Sequence, residues 1–554
     1  MSLDHRSRIM ALKIPKIGLP NLLKDGYKHL QGLDEAVLRN ISATRELSQI
    51  VRTSLGPNGR NKMVINHLEK LFVTNDAATI IKELEVVHPA AKLFVMSSQQ
   101  QEAEQGDGTN FVIVFAGELL QQAEHLLKMG LHPAEIIEGY DVAFKKALEI
   151  LDAMSVDKIA DPASSADLTR IVKSSVTSKQ YGYEDFLSEL VVNACLEVMP
   201  SKPNLFNVDS VRVVKILGGG IHDSSVVKGM VFGREPESVV QKAYKAKVAI
   251  FSCALDAQIT ETKGTVLIHN ANEMLNFSKG EEKQLEVIFN EIAASGAKVI
   301  VTGSTVGDMA LHFLNRLNLV VLKVPSKFDL RRLCRATNAT ALTRLGPPTA
   351  EEMGYVDVCE TVEIGSDRCT VFRQEAESSK TATIVVRGGT MNSLDDLERA
   401  IDDGVNNVKA VVKDARLLAG AGAFEIELAK QLTSFGDKTP GLNQYSIRKY
   451  AEALEVIPRT LAENAGMDST EVVSKLYAAH HNGTATAGVN IESDDNGTLD
   501  AKAMGIFDCL PIKKNAIRLA THAALTILSV DQIIMSKPAG GIKAKQNADW
   551  DEDD

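Results

Sequence analysis

Residues 105–120 read Gln105-Gly106-Asp107-Gly108-Thr109-Asn110-Phe111-Val112-Ile113-Val114-Phe115-Ala116-Gly117-Glu118-Leu119-Leu120. Two glycines flank one acid, and the Thr-Asn pair opens an apolar run that reads as a buried helix. Glycines leading into a helix start gather free N–H groups at the positive end of the helix dipole, which suits phosphate. A carboxylate in the same loop repels phosphate. A divalent cation between them removes the conflict, because Mg2+ is held by one or two carboxylates plus phosphate oxygens. Asp107 therefore points to a metal–nucleotide and not to a bare anion.

The same design recurs at Thr74-Asn75-Asp76-Ala77-Ala78-Thr79 and at Gly420-Ala421-Gly422-Ala423. Each site taken alone reads first as an ordinary N-cap or turn. The chain has no Gly-x-x-x-x-Gly-Lys-Ser/Thr and no strand-borne Gly-x-Gly-x-x-Gly. Gly218-Gly219-Gly220 precedes no clear helix and reads as a loop.

Outward from these loops, 554 residues predict two to four domains. Apolar content of 44% and charged content of 24% are those of a globular chain. A net charge of −11 and the lack of a basic, aromatic-interleaved block argue against nucleic acid. The N-terminus has no long apolar core of a signal peptide, and no run approaches the ~18 apolar residues of a membrane span. Six scattered cysteines without a Cys-x-x-Cys pair suit reduced thiols in the cytoplasm. His480-His481, ahead of Gly483-Thr484-Ala485-Thr486, reads as surface loop in preference to a metal site.

Apolar spacing predicts helices over most of Leu33–Ile150, including Ala36–Leu55 and Pro89–Glu104, with a hairpin of Lys62–Ile65 and Leu71–Thr74. In the middle, Val248–Cys253, Lys298–Gly303 and Leu319–Val324 alternate with helical patterns at Glu281–Ala294 and Asp308–Leu317, predicting a parallel α/β layer. Helices return at Phe424–Leu432, Tyr445–Asn464 and Asn515–Ser529, and the Lys537–Asp554 tail reads as disordered and acidic. This layout fits three successive domains or one helical domain interrupted by an insertion.

Beyond pattern, Thr53-Ser54-Leu55-Gly56-Pro57-Asn58-Gly59, Thr74-Asn75-Asp76, Gly106-Asp107-Gly108-Thr109 and Ala116-Gly117-Glu118-Leu119-Leu120 occur in order. With Ala453-Leu454-Glu455-Val456-Ile457-Pro458-Arg459-Thr460-Leu461-Ala462-Glu463-Asn464-Ala465-Gly466 they resemble the group II chaperonins, over about Gly32 to Lys537. Gly59-Arg60-Asn61-Lys62, Val324-Pro325-Ser326-Lys327-Phe328 and Asp531-Gln532-Ile533-Ile534-Met535 are most similar to the eukaryotic cytosolic branch, TRiC/CCT. The resemblance implies an α/β multidomain fold: a mostly helical equatorial domain (residues 1–158 and 415–554) interrupted by an intermediate domain (159–229 and 383–414) and an α/β apical domain (230–382). A helical protrusion would fall near Glu261–Lys283. It further implies an ATPase subunit, with seven paralogous subunits in an eight-membered ring and two rings stacked. Such a chamber folds non-native cytosolic polypeptides, actin and tubulin among the family's clients.

Matched position by position, the resemblance makes Asp107 the Mg2+ ligand, and Asp76 and Asp403 the acids that position the attacking water. Leu55, Gly56, Pro57, Gly106, Gly108, Thr109, Asn110 and Gly422 would hold ATP, Lys179 would meet its terminal phosphate, and Asp508 would lie near the ribose. Without the family, Asp403 reads as one more solvated acid on a helix with Asp395, Asp396, Glu398 and Asp402. Departures from the family pattern are Ala77, Asn110, Gly404, Ala421 and Asn490. They imply weaker or slower turnover than in sibling subunits. Two other readings are a subunit that binds nucleotide mainly for ring order, and a metabolic ATP-dependent enzyme of small size.

Overall fold

The computed structural model describes residues 28–31, 36–256, 268–375, 380–492 and 497–535. The acidic tail from 537 onward and the start of the expected protrusion, including Val266 and Leu267, lie outside the described residues. The Ala271–Ala294 helix begins ten residues before the stretch its apolar spacing predicts.

The two ends of the chain share one core. Ile41, Phe94, Phe115 and Tyr140 from the first part pack in a single apolar cluster with Phe424, Tyr450 and Ile517 from the last. At its centre runs the Thr109–Lys128 helix, whose Phe111–Leu120 stretch is buried nearly all round, as its continuous apolar sequence requires. Phe115 and Tyr140 both meet the Tyr450 ring edge-on, at 5.7 and 5.6 Å. Of the two layouts open to the sequence, the interrupted one is therefore found.

The inserted segment has cores of its own. One joins the Ser165–Thr177, Glu184–Val198 and Met391–Lys413 helices through Ile171, Val191, Leu397 and Val405. Two more clothe the faces of a nine-stranded sheet. Lys242–Phe251, Ala297–Thr302 and Val320–Lys323 are parallel neighbours, with Val248 opposite Val299 and Val299 opposite Val320. The sheet is mixed beyond them: Gly354–Ile364 pairs antiparallel with Lys242–Phe251, and Asp367–Arg373 with Gly354–Ile364. Those strands carry Glu360, Glu363, Asp367 and Arg368 within their runs, which hides them from a search for apolar stretches.

The Lys62–Ile65 and Leu71–Thr74 hairpin forms as its pattern predicts. Tyr445–Asn464 is two helices, Asn443–Leu454 and Val456–Asn464, with a break at Glu455. Pro458 is the cause: it has no N–H for the carbonyl of Leu454, and its ring crowds that carbonyl. The C-terminal helix starts at Leu510, with Pro511 in its first turn, and not at Asn515. His480 and His481 are in the last turn of the Ser469–His481 helix, not in a loop. His480 is fully buried, with Nδ1 2.9 Å from Glu427 Oε2 and Nε2 2.8 Å from the Ala487 carbonyl.

Candidate functional site

The opening loop is the joint between two helices. Gly106 ends Pro89–Gln105 at φ 73°, and Gly108 starts Thr109–Lys128 at φ 79°. Both are left-handed conformations in which a side chain is strained. A Cβ on Gly106 would also collide with the side chain of Asn406. The two glycines thus turn the chain back within one residue and leave Asp107 at the joint.

Asp107 is fixed by donors. Oδ1 accepts the Gly108 N–H at 2.6 Å. Oδ2 accepts the Ser175 hydroxyl at 2.9 Å and the Asn407 amide at 2.7 Å. The main-chain carbonyl of Asp107 takes the Gln101 amide at 2.8 Å. Sequence reading missed Ser175, Asn407 and Gln101; lone Ser, Asn and Gln residues on helices carry no pattern that marks them.

Asp76 caps the Ala77–Glu83 helix, accepting from the Thr79 N–H at 3.1 Å and the Thr79 hydroxyl at 2.7 Å. Lys179 donates to Asp76 Oδ1 at 3.1 Å and lies 2.6 Å from Asp403 Oδ2. One ammonium therefore joins two carboxylates from segments more than 300 residues apart. Asp403 is buried in the Met391–Lys413 helix, and three of its acidic neighbours are paired elsewhere, Asp395 and Glu398 with Lys215 and Asp396 with Arg399, while the fourth, Asp402, is exposed. The solvated-acid reading of Asp403 does not hold.

Burial tends to raise the Asp76 carboxyl, but Lys179 and Thr79 more than offset it and leave it below the ordinary value. Burial dominates at Asp403, with Asp107 and Asp76 adding repulsion, and Lys179 fails to compensate; its carboxyl lies well above the ordinary range. For Lys179, burial is outweighed by Asp403 and Asp76, so it stays protonated. Asp76, Gly106, Thr109, Lys179, Arg399 and Asp403 line a cavity of about 310 Å3.

The remaining positions gather on the Val456–Asn464 helix and the Phe507–Cys509 strand. The Leu55 carbonyl accepts from Asn464 at 2.8 Å, Gly56 backs onto Leu461, and Pro57 sits in the turn that follows, closed by Gly59 N–H to the Gly56 carbonyl at 2.9 Å. Gly422 starts the Ala423–Lys438 helix against Pro458. Asp508 lies opposite Leu418 in a strand pair and 3.2 Å from Lys513, whose ammonium is 5.1 Å from the Phe111 ring and 5.4 Å from Phe424. Glu425, also near Lys513, is pushed by burial up to about 8, and its Oε2 has no partner among the described residues. Neither Lys513 nor Glu425 was singled out from sequence.

Ala421 occupies φ 56°, a conformation strained for alanine. Its methyl is accommodated because residue 488 is glycine: a Cβ there would lie 2.8 Å from Ala421 Cβ. The Ala421 carbonyl accepts the Val489 N–H at 2.8 Å.

These residues fit a cation with phosphate. Asp107 keeps one lone pair of Oδ1 uncommitted among the described residues. The buried Asn110 Oδ1 has no partner among them, and as an acceptor it suits a hydrogen-bond donor or a cation and not a phosphate oxygen. No group of three or more described His, Cys, Asp and Glu side chains could encage an ion. A cation at Asp107 would accordingly draw most of its ligands from phosphate and water, as Mg2+ does.

No helix of the described residues is long and apolar enough to cross a membrane. The profile of the TCP-1/cpn60 chaperonin family matches residues 47–538. Over 547 residues the chain is 58% identical to a protein of Schizosaccharomyces pombe named "Probable T-complex protein 1 subunit theta", covering 98% of this chain and all of that one. The T-complex protein 1 subunit theta of Dictyostelium discoideum is 55% identical over 97% of this chain, and that of Homo sapiens 54% over 98%, each covered in full. The chain belongs to the TCP-1/cpn60 chaperonin family, and its full-length likeness within it is to theta subunits.

Proposed function

We propose that this chain is an ATP-hydrolysing subunit of a cytoplasmic hetero-oligomeric chaperonin, one of eight paralogues in each of two stacked rings that fold non-native polypeptides. The equatorial, intermediate and apical segments bounded at 158, 229, 382 and 414 are part of this reading. The observation that carries it is the Lys179 bridge between Asp76 and Asp403 beside the Asp107 loop.

Thr109 and Asn110, at a helix start, would meet phosphate oxygens, and Lys179 would turn toward the terminal phosphate, releasing carboxylates to water. Bound Mg2+ would supply charge neutralisation of the phosphate oxygens, with Asp107 as its protein ligand. Asp76, which keeps the Thr79 N–H and hydroxyl as donors once Lys179 has turned away, orients the water and takes its proton as the water oxygen bonds to phosphorus and the bond to ADP breaks. Asp403 orients the same water from the Met391–Lys413 helix, so hydrolysis follows the position of that helix. The buried Asn110 Oδ1, unpaired among the described residues, and the strained Ala421 favour a second reading, in which the subunit binds nucleotide but turns it over slowly.

Assembled particles carrying Asp403→Ala in this subunit alone test the proposal. Phosphate release and lid closure, read by protease resistance, should both fall measurably. Unchanged values of both would leave only the structural-subunit reading.

A further inference from the structure

Asn407 is the buried amide that joins the Asp403 helix to the Asp107 loop. It lies one turn beyond Asp403 on the Met391–Lys413 helix, so the two side chains stack on one face. It is 4% exposed, and each of its polar atoms is engaged. Nδ2 donates to Asp107 Oδ2 at 2.7 Å and to the Asp403 carbonyl at 3.1 Å. Oδ1 accepts the Cys509 thiol at 3.2 Å. Turning the amide over would set Oδ1 against two acceptors, the Asp107 carboxylate and the Asp403 carbonyl, so the surroundings dictate its orientation.

The consequence appears at Asp107. A carboxylate has about four lone-pair directions. The Ser175 hydroxyl and the Asn407 amide occupy both on Oδ2, and the Gly108 N–H occupies one on Oδ1. One direction on Oδ1 is left. An acid held this way offers a cation a single oxygen in a fixed orientation, and partners of this kind commonly change metal affinity by about 10–100-fold when removed.

We infer that Asn407 is a positioning residue for the divalent cation. It turns the Asp107 carboxylate to present one oxygen, and it ties cation capture to the helix that carries Asp403. The inference rests on the nucleotide reading above and adds a residue that the family resemblance does not supply. Asn407 touches neither substrate nor cation itself. Its effect passes through Asp107, in contrast to Ser175, which holds the same oxygen from a helix with no catalytic acid.

The test is equilibrium binding of ADP to the full-length chain, by calorimetry, with Mg2+ present and with Mg2+ removed by EDTA. The quantity read is the ratio of the two affinities, which involves no turnover. In Asn407→Leu, similar in size but without the donor, the Mg2+-dependent gain should fall about 10-fold or more. ADP affinity in EDTA should stay within about twofold, since the amide faces the carboxylate and not the nucleotide. Asn407→Ser, which leaves space in place of hydrocarbon, should give the same loss if the leucine variant does not fold. An unchanged Mg2+ gain in a folded variant overturns the inference. Equal weakening with and without Mg2+ also overturns it, because that is the signature of a merely structural residue. If the unaltered chain binds ADP with no Mg2+-dependent gain, the nucleotide–metal reading itself fails, a result distinct from the other two.

Discussion

Asp76 and Asp403 share one lysine, are 8% and 7% exposed, and respond to that common setting in opposite directions. Asp76 sits at a helix start, where its Oδ2 takes an N–H and a hydroxyl from Thr79 while Oδ1 takes Lys179. Asp403 sits in the middle of a helix, with its own backbone already satisfied, and leans on Lys179 alone while facing Asp107 and Asp76. Burial penalises the charged form of both; only at the first do the donors outweigh it. Pairs of acids pushed apart in this way divide proton-accepting and orienting roles.

The largest effect expected from breaking the comparison is removal of the shared cation. Lys179→Met leaves two buried carboxylates facing each other, and loss of one partner of a buried ion pair typically destabilises by about 3–5 kcal/mol. Urea unfolding of the full-length chain should show a fall of that order, with Mg2+-dependent phosphate release lost. A change below about 1 kcal/mol would mean that the bridge does not organise the site.

Asparagine at each acid separates the two. Asp403→Asn supplies a neutral group where the carboxyl is already driven toward neutrality, so stability near neutral pH should change little or rise. Asp76→Asn removes an ionised acceptor of charged and neutral donors and should destabilise by about 1.5–3 kcal/mol. Phosphate release should fall about 100-fold or more in either variant. The pH dependence has opposite sign at the two positions. The Asp76 carboxyl lies below its unfolded value, so its stabilisation is in place above that value and is lost as pH falls through the folded one. The Asp403 carboxyl lies above, so stability declines as pH climbs from the unfolded value toward the folded one. Asp403→Asn should abolish the second slope and leave the first; the reverse outcome would exchange the two assignments.

How much of this was legible follows from where the signals lie. Asp107 stands between two glycines and Asp76 before two alanines, each at a helix start where polar residues have few purposes, so the sequence marks them. The interrupted core was an open choice, because periodicity tells which residues are buried and not which helices they meet. Asp403 is invisible to pattern: four other acids share its helix, and only the fold gives Lys215 and Arg399 to its neighbours while leaving it Lys179. Asn407, Ser175 and Lys513 are further examples, since their partners lie 300, 68 and 5 residues away in directions that no local rule supplies. Ala421 was legible as a departure, but its left-handed backbone and its dependence on Gly488 were not.

The finest way to sharpen the comparison removes one local donor while leaving burial and Lys179 in place. Thr79→Val keeps shape and deletes the hydroxyl that donates to Asp76 Oδ2 at 2.7 Å, while the Thr79 N–H contact is retained. If local donors set Asp76 apart, its folded-state carboxyl should move upward, toward the behaviour of Asp403. The expected loss is about 1 kcal/mol at neutral pH, the worth of one hydrogen bond to a charged group less the hydration regained. The acid limb of the stability profile should then begin at higher pH, because the folded carboxyl takes up its proton sooner. A uniform loss at every pH with the acid limb unmoved would assign the low value of Asp76 to Lys179 and the Thr79 N–H, without the hydroxyl. The two acids would then differ in one backbone donor and in the number of like charges around them.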